Sequence, residues 1–251
     1  MKKTDPICIF DSGIGGVSVL QSLATLAPNE SYFYYSDSKN CPYGEKSTSE
    51  IQKICDKITK YLLEKHPKCI IIACNTASAK AANYLREKYP NTKFFAIEPA
   101  YKLARNEKTL VMATPGTLES EKFHKLFYQY DNGKTILLPC PGLASLIENG
   151  TPKEIEGYLQ KKIATYRGRV EVVVLGCTHY PLAKEYIKNV LGEVKLIDGA
   201  PYLAENVVKF LTENKLKNNL TSPEIVFEDS NPNPKIANQK AHRFKAIFAK
   251  S

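Results

Sequence analysis

Short, uninterrupted apolar runs alternate along the chain with longer segments whose apolar residues recur at helical spacing. Nine runs predict β-strands: Ile7–Phe10, Tyr32–Tyr35, Cys69–Ala73, Phe94–Ile97, Leu110–Ala113, Thr135–Leu138, Val170–Leu175, Val194–Ile197 and Ile225–Glu228. In one of the intervening segments the apolar side chains fall on a single helix face: Ile51, Ile54, Ile58, Tyr61 and Leu62. Continuously apolar strands are typical of parallel sheets that helices cover on both faces. The pattern therefore predicts an α/β fold.

Two pairs of segments resemble one another, which indicates an internal repeat. Residues 70–76 (IIIACNT) resemble residues 173–179 (VVLGCTH), since each strand is followed by a small residue, a cysteine and hydrogen-bonding side chains. Residues 7–13 and 110–116 are both strands that end in a polar turn with a glycine. In open α/β sheets, ligands bind beyond the carboxyl ends of the strands. The repeat predicts two similar α/β lobes with mostly parallel central sheets, an active site in the cleft between them and one cysteine on each side.

Composition and charge narrow the class of protein. The chain has 251 residues, 43% hydrophobic and 24% charged, which is an ordinary globular composition. Its formal charge of +9 comes from lysines interleaved with acidic residues, with no charged block and no nucleic-acid motif, so we expect no nucleic-acid partner. There is no apolar stretch of about 18 residues and no secretory signal. We expect no membrane association and a cytoplasmic location.

Cysteine usage separates two thiols from the other five. The odd count of seven fits reduced thiols rather than a disulfide scaffold. Cys8 and Cys69 within strands, Cys55 in a helical segment and Cys140 between two prolines are expected to be buried structural residues. Cys41, in a predicted loop, remains ambiguous.

Cys74 and Cys177 each follow a strand and precede a predicted helix N-terminus, where oriented N–H groups favour a thiolate. Asn75, Thr76, Thr178 and His179 add hydrogen-bonding groups beside them. Two thiols that face each other across a small site can act as a pair, one removing a proton from carbon and the other returning a proton to the opposite face. Asp11 and His179 are candidates for setting the protonation of these thiols. This chemistry is two-base racemisation.

Two other kinds of site have weaker support. A zinc site would need more ligands than Cys177 and His179 at a recognisable spacing, and no C-x₂-C pair is present. The glycine-rich segment 10–16 (FDSGIGG) follows a strand, but it lacks the order of glycines and the G-K-[ST] ending of phosphate-binding loops.

Six segments together resemble the glutamate racemase family of the cofactor-independent aspartate/glutamate racemase superfamily. In order along the chain they are residues 10–16 (FDSGIGG), 42–44 (PYG), 73–77 (ACNTA), 98–99 (EP), 113–117 (ATPGT) and 176–181 (GCTHYP). Their order and spacing match the family, and they span nearly the whole chain.

The resemblance implies a role for each matching residue. It implies that Cys74 and Cys177 are the acid/base pair, the second acting on the L-isomer and the first on the D-isomer. It makes Asp11, His179 and Glu148 the assisting residues. It implies that substrate binding falls to Ser12, Pro42, Tyr43, Gly44, Asn75, Thr76, Thr114, Thr117 and Thr178.

The resemblance also implies a biological setting. The expected activity is racemisation of L-glutamate to D-glutamate for peptidoglycan synthesis, by an isomerase with no pyridoxal phosphate, metal or nucleotide. The family fold implies a first lobe of residues 1–97 plus 206–251 and a second lobe of residues 98–205. A homodimer is expected. The segments 38–41 (SKNC), 98–100 (EPA) and 140–143 (CPGL) depart from the family pattern around the site or hinge, and they bear on substrate preference and assembly.

Three further interpretations stay open at the level of sequence. The same chemistry could act on aspartate or on several amino acids. A two-lobed binding protein for an acidic metabolite would keep the fold with inert cysteines. A thiol redox enzyme would form a reversible bond between Cys74 and Cys177.

Overall fold

The computed structural model describes residues 2–104, 106–131 and 133–249. The first half of this part contains β1 (Ile7–Asp11), α1 (Val17–Leu26), β2 (Tyr32–Ser36), α2 (Thr48–Leu63), β3 (Cys69–Ile72), α3 (Asn75–Lys88) and β4 (Phe94–Ala96). Next come β5 (Thr109–Ala113), α4 (Pro115–Leu118), α5 (Glu121–Tyr130), β6 (Thr135–Pro139), α6 (Leu143–Asn149), α7 (Pro152–Ile163), β7 (Val172–Gly176), α8 (Lys184–Leu191) and β8 (Lys195–Ile197). The chain then forms α9 (Ala200–Glu213), β9 (Ile225–Asp229) and α10 (Pro234–Phe248). All nine predicted strands are confirmed to within two residues at each end.

Two parallel sheets organise the molecule. The first has the strand order β4-β3-β1-β2-β9 and the second has the order β6-β5-β7-β8, and every pairing is parallel. Reading the second sheet from its other edge gives β8-β7-β5-β6, which matches β4-β3-β1-β2 of the first. The predicted repeat is therefore confirmed, because β5 to β8 repeat the topology of β1 to β4. The α/β class with two similar lobes is confirmed as well.

The central strands are buried on both faces, as their continuous apolar character predicts. In β1, Ile7 and Ile9 face a core that α1 and α9 cover, whereas Cys8 and Phe10 face the core beneath α2 and α3. In the second lobe, Val173 belongs to a core that includes side chains of α6, α7 and α8, while neighbouring strand residues face α5. Each sheet is thus the middle layer of three.

The C-terminal part of the chain packs on the first lobe. Leu203, Ala204 and Val207 of α9 share a core with side chains of α1, and β9 extends the first sheet beside β2. The expected lobe boundary between residues 205 and 206 falls inside α9. We propose that the first lobe resumes at Ala200, where this helix begins.

Among the described residues, none of the helices combines the length and the apolar character that crossing a bilayer requires.

Candidate active site

The two sheets direct the carboxyl ends of their central strands toward a common pocket. The chain leaves β1 toward β2 and leaves β3 toward β4 on the opposite side, which makes a topological switch point between β1 and β3. The equivalent switch point of the second sheet lies between β5 and β7. Cys74 follows β3 and Cys177 follows β7, so one thiol comes from each switch point. Both cysteines line the same pocket, together with Ser12, Pro42, Tyr43, Gly44, Asn75, Thr76, Thr114 and His179.

The pocket is small in this arrangement of the lobes. Its cavity volume is about 30 Å³, which is room for no more than a few water molecules. Half of the lining residues are themselves buried, including both cysteines. A ligand the size of an amino acid can therefore fit only when the lobes separate or the lining side chains move.

On the first-lobe side, Cys74 lies next to a buried carboxyl group. Burial, followed by the charge of Asp11, raises the pKa of the Cys74 thiol well above its ordinary value. The N-terminus of α3, which begins one residue later, does not outweigh these two effects. Asp11 accepts a hydrogen bond from the Gly16 N–H at 2.7 Å, and the Thr178 hydroxyl lies 3.3 Å from it. Burial raises the pKa of Asp11 as well.

On the second-lobe side, Cys177 is paired with an imidazole. His179 Nδ1 lies 3.9 Å from Cys177 Sγ, and His179 Nε2 lies 2.6 Å from Glu148 Oε2. Burial alone would lower the pKa of His179, but the hydrogen bonds with Cys177 and Glu148 raise it well above its ordinary value. Burial opposes the charge on Glu148 too, yet the contacts with His179 and Lys240 lower its pKa to about 2. The imidazolium and the carboxylate therefore stabilise each other beside Cys177.

The prediction of a helix N-terminus directly after Cys177 is wrong. The Tyr180 N–H donates to the Cys177 carbonyl at 3.0 Å, a 3₁₀ turn covers Tyr180–Ala183, and α8 begins only at Lys184. Pro181 explains this difference, because an α-helix would need its N–H to bond the Cys177 carbonyl and proline has none. His179, rather than a helix, supplies the positive charge at Cys177.

Three threonine side chains meet where the two lobes come together beside the pocket. The hydroxyl of Thr76 lies 2.9 Å from that of Thr114 and 3.3 Å from that of Thr117, and the last two are 3.0 Å apart. Thr76 belongs to α3 of the first lobe, whereas Thr114 and Thr117 belong to the β5–α4 corner of the second. Thr114 also caps α4 by accepting from the Thr117 N–H at 3.3 Å. Hydroxyls in such a ring can turn their hydrogens toward a bound anion.

Asn75 stands out because its side chain has no partner. It is 4% exposed, yet within the described part of the chain neither its Oδ1 nor its Nδ2 atom makes a hydrogen bond. Leaving a buried amide unpaired is costly, so such groups in native proteins call for an explanation. Because Asn75 lines the pocket, a polar ligand that bonds the amide provides that explanation.

The remaining predicted residues either line the pocket or lie behind it. The loop of Pro42, Tyr43 and Gly44 forms one wall, and the Gly44 carbonyl accepts from the Gly116 N–H of the other lobe at 3.1 Å. The Tyr43 hydroxyl donates to Asp37 at 2.5 Å, so its hydrogen is already engaged. Four predicted residues are buried behind the lining side chains: Asp11, Thr117, Glu148 and Thr178.

The glycine-rich segment 10–16 has a steric role between the lobes. A Cβ atom at Gly13 would lie 2.7 Å from Glu148 Oε2, and one at Gly15 would lie 2.5 Å from His179 Nδ1. These distances are too short for any side chain. Glycine at these two positions lets the backbone of the first lobe approach the acidic and basic residues of the second.

Sequence reasoning missed four residues at this site. The sequence predicts a buried structural role for Cys140 and gives no clear role to Cys41, but both residues line the pocket. Burial raises the pKa of Cys41 to about 11 and that of Cys140 to about 12, which keeps both as thiols. The position of Cys140 directly after β6 was the available signal, since that strand ends at the same sheet edge. Lys240 and Arg243 of α10 contact Glu148 and the end of α6, and nothing in their local sequence marks them.

Within residues 2–104, 106–131 and 133–249, no three His, Cys, Asp or Glu side chains converge in a way that could hold a metal ion.

Comparison with known proteins gives one consistent result. The sequence profile of the Asp/Glu/hydantoin racemase family matches residues 13–207. A glutamate racemase from Clostridium perfringens (strain SM101 / Type A) is 42% identical over 227 residues, which cover 87% of this chain and 87% of that protein.

Solved structures agree with the sequence relatives. The chain superposes with a TM-score of 0.82 on a glutamate racemase from Francisella tularensis in complex with D-glutamate, at 32% identity and covering 96% of this chain and 94% of that one. A glutamate racemase isoform from Bacillus anthracis gives a TM-score of 0.86 at 28% identity, with 97% and 95% covered. The similarity therefore includes both lobes.

Proposed function

The chain belongs to the Asp/Glu/hydantoin racemase family and is an isomerase, and from this premise we propose that it interconverts L- and D-glutamate with Cys74 and Cys177 as the two bases. One observation carries the proposal: a thiol from the switch point of each lobe lines a single pocket, which also holds the unpartnered amide of Asn75. Glutamate enters the proposal through the names of the relatives, one of which was solved with D-glutamate.

In the direction from L to D, the thiolate of Cys177 takes the α-proton and forms an S–H bond as the Cα–H bond breaks. The thiol of Cys74 then gives its proton to the opposite face of the carbon, which forms the new Cα–H bond and leaves a thiolate on Cys74. The reverse direction exchanges the two roles. Each turnover thus leaves the protons on the pair exchanged, and solvent resets them.

The surroundings of the two thiols fit these starting roles. An imidazolium at His179, held by Glu148, stabilises a thiolate on Cys177 through the 3.9 Å contact. The raised pKa of Cys74 keeps that side as a thiol, ready to donate. The α-proton of an amino acid is only weakly acidic, so the carbanion that forms on its removal must be stabilised. A closed pocket helps because excluding water strengthens the electrostatic interactions that stabilise the carbanion.

We propose that recognition of the substrate rests mainly on uncharged side chains that can both donate and accept hydrogen bonds. We propose that Asn75, Ser12 and the hydroxyls of Thr76 and Thr114 bind the carboxylates and the ammonium group, with Gly44 and its neighbours forming the wall. The other predicted residues, Thr117 and Thr178, support them from behind. Hydroxyl and amide N–H groups donate to a carboxylate, and hydroxyl and amide oxygens accept from an ammonium group.

The family relationship extends the proposal to a biological role. We propose that the D-glutamate feeds peptidoglycan synthesis and thereby cell-wall formation and cell shape, in the cytoplasm and with no cofactor. The partner that we propose for the site is the small-molecule substrate, L- or D-glutamate. The homodimer stays a prediction.

Exchange of the α-proton with solvent tests the proposal. Purified full-length protein would be incubated with L-glutamate in D₂O without cofactor, and the α-¹H signal and optical rotation would be followed together. We expect loss of the α-proton with decay of rotation to zero, since the two isomers are equal in energy. A binding protein would bind glutamate without any exchange, which would refute the proposal.

Two additional measurements test the substrate range of the protein and the alternative of redox chemistry. Running L-aspartate in parallel distinguishes a glutamate enzyme from one with broader specificity. A redox enzyme would instead show a bond between Cys74 and Cys177 by mass spectrometry after mild oxidation, with no exchange in D₂O.

A further inference from the structure

The C-terminal helix α10 belongs to the first lobe but contacts the second lobe at Glu148. Its Phe244 packs against Tyr34 and Phe227 of the first sheet, with ring centroids 4.9 Å and 4.5 Å apart. On another side of the same helix, Lys240 Nζ lies 2.6 Å from Glu148 Oε1 and 2.8 Å from Asn149 Oδ1. The helix therefore connects the core of one lobe with a buried carboxylate of the other.

Among the described residues, three hydrogen-bonding groups hold the Glu148 carboxylate in place. Lys240 occupies Oε1, while Oε2 meets His179 Nε2 at 2.6 Å and accepts from the Ile14 N–H at 3.1 Å. Two of these three groups, Lys240 and the Ile14 N–H, come from the first lobe. With Oε1 held by an ammonium group, the carboxylate cannot rotate away from His179 without breaking a buried ion pair. The side chains of Glu148 and Lys240 are only 1% and 12% exposed, so water cannot readily replace either partner.

Arg243 holds the backbone beside the same carboxylate. Its guanidinium donates to the carbonyls of Ile147 and Glu148, at the end of α6. The last carbonyls of a helix lack partners within the helix, and a cation there interacts well with the helix dipole. Arg243 therefore fixes where α6 ends, whereas Lys240 fixes which way the Glu148 side chain points.

We propose that Lys240 is a positioning residue on the second-lobe side of the pocket. It orients the Glu148 carboxylate, and this carboxylate in turn holds His179 against Cys177. This inference rests on the proposed function, since it gives Lys240 a part in the racemisation by Cys177. Lys240 does not line the pocket, so it acts through Glu148 and not on the substrate. The residue joins the C-terminal helix of one lobe to the acid/base group of the other.

Steady-state racemisation of glutamate by three full-length variants tests this role. Lys240→Met should lower kcat by about 10- to 100-fold, the loss typical when a partner that orients a functional histidine is removed. KM should stay within about threefold, because Arg243 and the threonine contacts still hold the lobes together. Lys240→Arg should restore most of kcat, and Lys245→Met, which removes an exposed lysine of the same helix, should match the unmodified protein. A kcat for Lys240→Met within twofold of the unmodified protein overturns the proposal, as does Lys240→Arg being equally slow.

A second readout does not depend on the substrate. The N–H proton shared by His179 and Glu148 should give a proton resonance far downfield, identified by its loss in His179→Asn. We expect Lys240→Met to shift or abolish it, and Lys245→Met to keep it. If the unmodified protein does not racemise glutamate, the proposed function fails while this resonance still decides the role of Lys240. An unchanged resonance in Lys240→Met overturns it. Lys240→Gln, which keeps a hydrogen-bond donor without the charge, replaces the Met variant if that variant does not fold.

Discussion

The imidazole of His179 lies between Cys177 and Glu148, with Nδ1 3.9 Å from the sulfur and Nε2 2.6 Å from the carboxylate. For Cys74, in the other lobe, the main charge effect comes from the Asp11 carboxylate instead, which together with burial raises the pKa of the thiol. The two faces of the pocket are therefore electrostatically different, although the two lobes repeat the same topology. A cation accompanies one thiol and a buried carboxyl group accompanies the other.

Replacing either of the two proposed catalytic thiols should slow racemisation strongly. Cys74→Ser and Cys177→Ser should each lower kcat by about 10²- to 10⁴-fold, the contribution typical of a positioned acid or base, because a hydroxyl ionises far less readily than a thiol. Polarimetry with L- and D-glutamate measures the effect in both directions. Since the two isomers are equal in energy, kcat/KM must fall equally in the two directions for each variant.

Cys41→Ser is the matched control for these two variants. Cys41 lines the same pocket and is partly exposed, so the exchange of sulfur for oxygen is tolerated there and should change kcat less than threefold. An equally large loss in Cys41→Ser would mean that any change of pocket thiols inactivates the protein. Full activity in either Cys74→Ser or Cys177→Ser would refute the two-base assignment.

Removal of the Glu148 charge should make stability depend differently on pH. The pKa of this carboxyl group is lowered to about 2 in the folded protein, below its value of roughly 4.3 in an unfolded chain. The stability that the ionised Glu148 side chain contributes to the folded protein is thus complete above about pH 4.3 and is lost as pH falls toward 2. Glu148→Gln should reduce the free energy of unfolding by about 3–5 kcal/mol at pH 6, since it leaves Lys240 and His179 without their buried partner.

Urea unfolding between pH 3 and pH 7 measures this difference. The difference in free energy of unfolding between the unmodified protein and Glu148→Gln should be largest at pH 5 to 6 and should become smaller toward pH 3. The raised pKa of His179 works in the other direction, since its contribution is present below about pH 6.5 and is lost as pH rises through the folded value. Glu154→Gln, an exposed capping residue of α7, is the control and should give a small difference. A difference of constant size for Glu148→Gln would contradict the coupling.

Most of the fold can be predicted from the sequence, because the patterns that determine its strands and helices lie within short segments of the chain. Each central strand is a continuous apolar run, and such a run can be buried only in a sheet covered on both faces. The repeat around Cys74 and Cys177 was also readable, because both cysteines come within two residues of the ends of their strands and the ends of parallel strands lie at one edge. The error at Cys177 was local as well. Pro181 removes the N–H that would have closed the first α-helical turn.

The contacts around the cysteines could not be read from the sequence, because they join distant segments. Lys240 is 92 positions from Glu148, and it is one of many lysines whose neighbours do not mark it. The unpaired amide of Asn75 is a property of the surrounding packing, so the residue type alone does not show it. Cys140 resembled a structural cysteine between two prolines until β6 placed it at the shared sheet edge.

A methyl group at Gly13 should separate the lobes at Glu148. The Cβ of Gly13→Ala would lie 2.7 Å from Glu148 Oε2, so the carboxylate must shift away from the Ile14 N–H and from His179. We expect a loss of about 1–3 kcal/mol in stability, the usual cost of overpacking, together with a clear fall in kcat. Thermal unfolding and glutamate kinetics measure the two effects.

Gly157→Ala is the matched control. Gly157 lies within α7, and a Cβ atom there would meet nothing within 4 Å. This substitution should stabilise the protein by about 0.5–1 kcal/mol through helix propensity, with kcat unchanged. If Gly13→Ala behaves like Gly157→Ala, close packing at Glu148 is not required for activity.

Asn75 should contribute to binding at the expense of stability. Its amide is buried without a partner among residues 2–104, 106–131 and 133–249. Asn75→Ala therefore removes a desolvated group, and the melting temperature should stay the same or rise. A bound substrate carboxylate would lose a hydrogen bond to a charged group, worth about 1.5–3 kcal/mol. We therefore expect glutamate binding to weaken by about 10- to 150-fold, as measured by the KM and by calorimetric titration of an inactive Cys74→Ser background.

Ser78→Ala on the same helix should show the opposite behaviour. The Ser78 hydroxyl is buried and donates to the Ile72 carbonyl at 3.0 Å, so its removal leaves that carbonyl with one bond fewer and lowers the melting temperature. Because Ser78 does not line the pocket, KM should not change. Asn75→Ala should weaken binding without lowering the melting temperature, whereas Ser78→Ala should lower the melting temperature without weakening binding. This contrast distinguishes a residue that serves ligand binding from one that serves the stability of the fold. An Asn75→Ala variant that binds glutamate normally would show that the unpaired amide serves something other than the substrate.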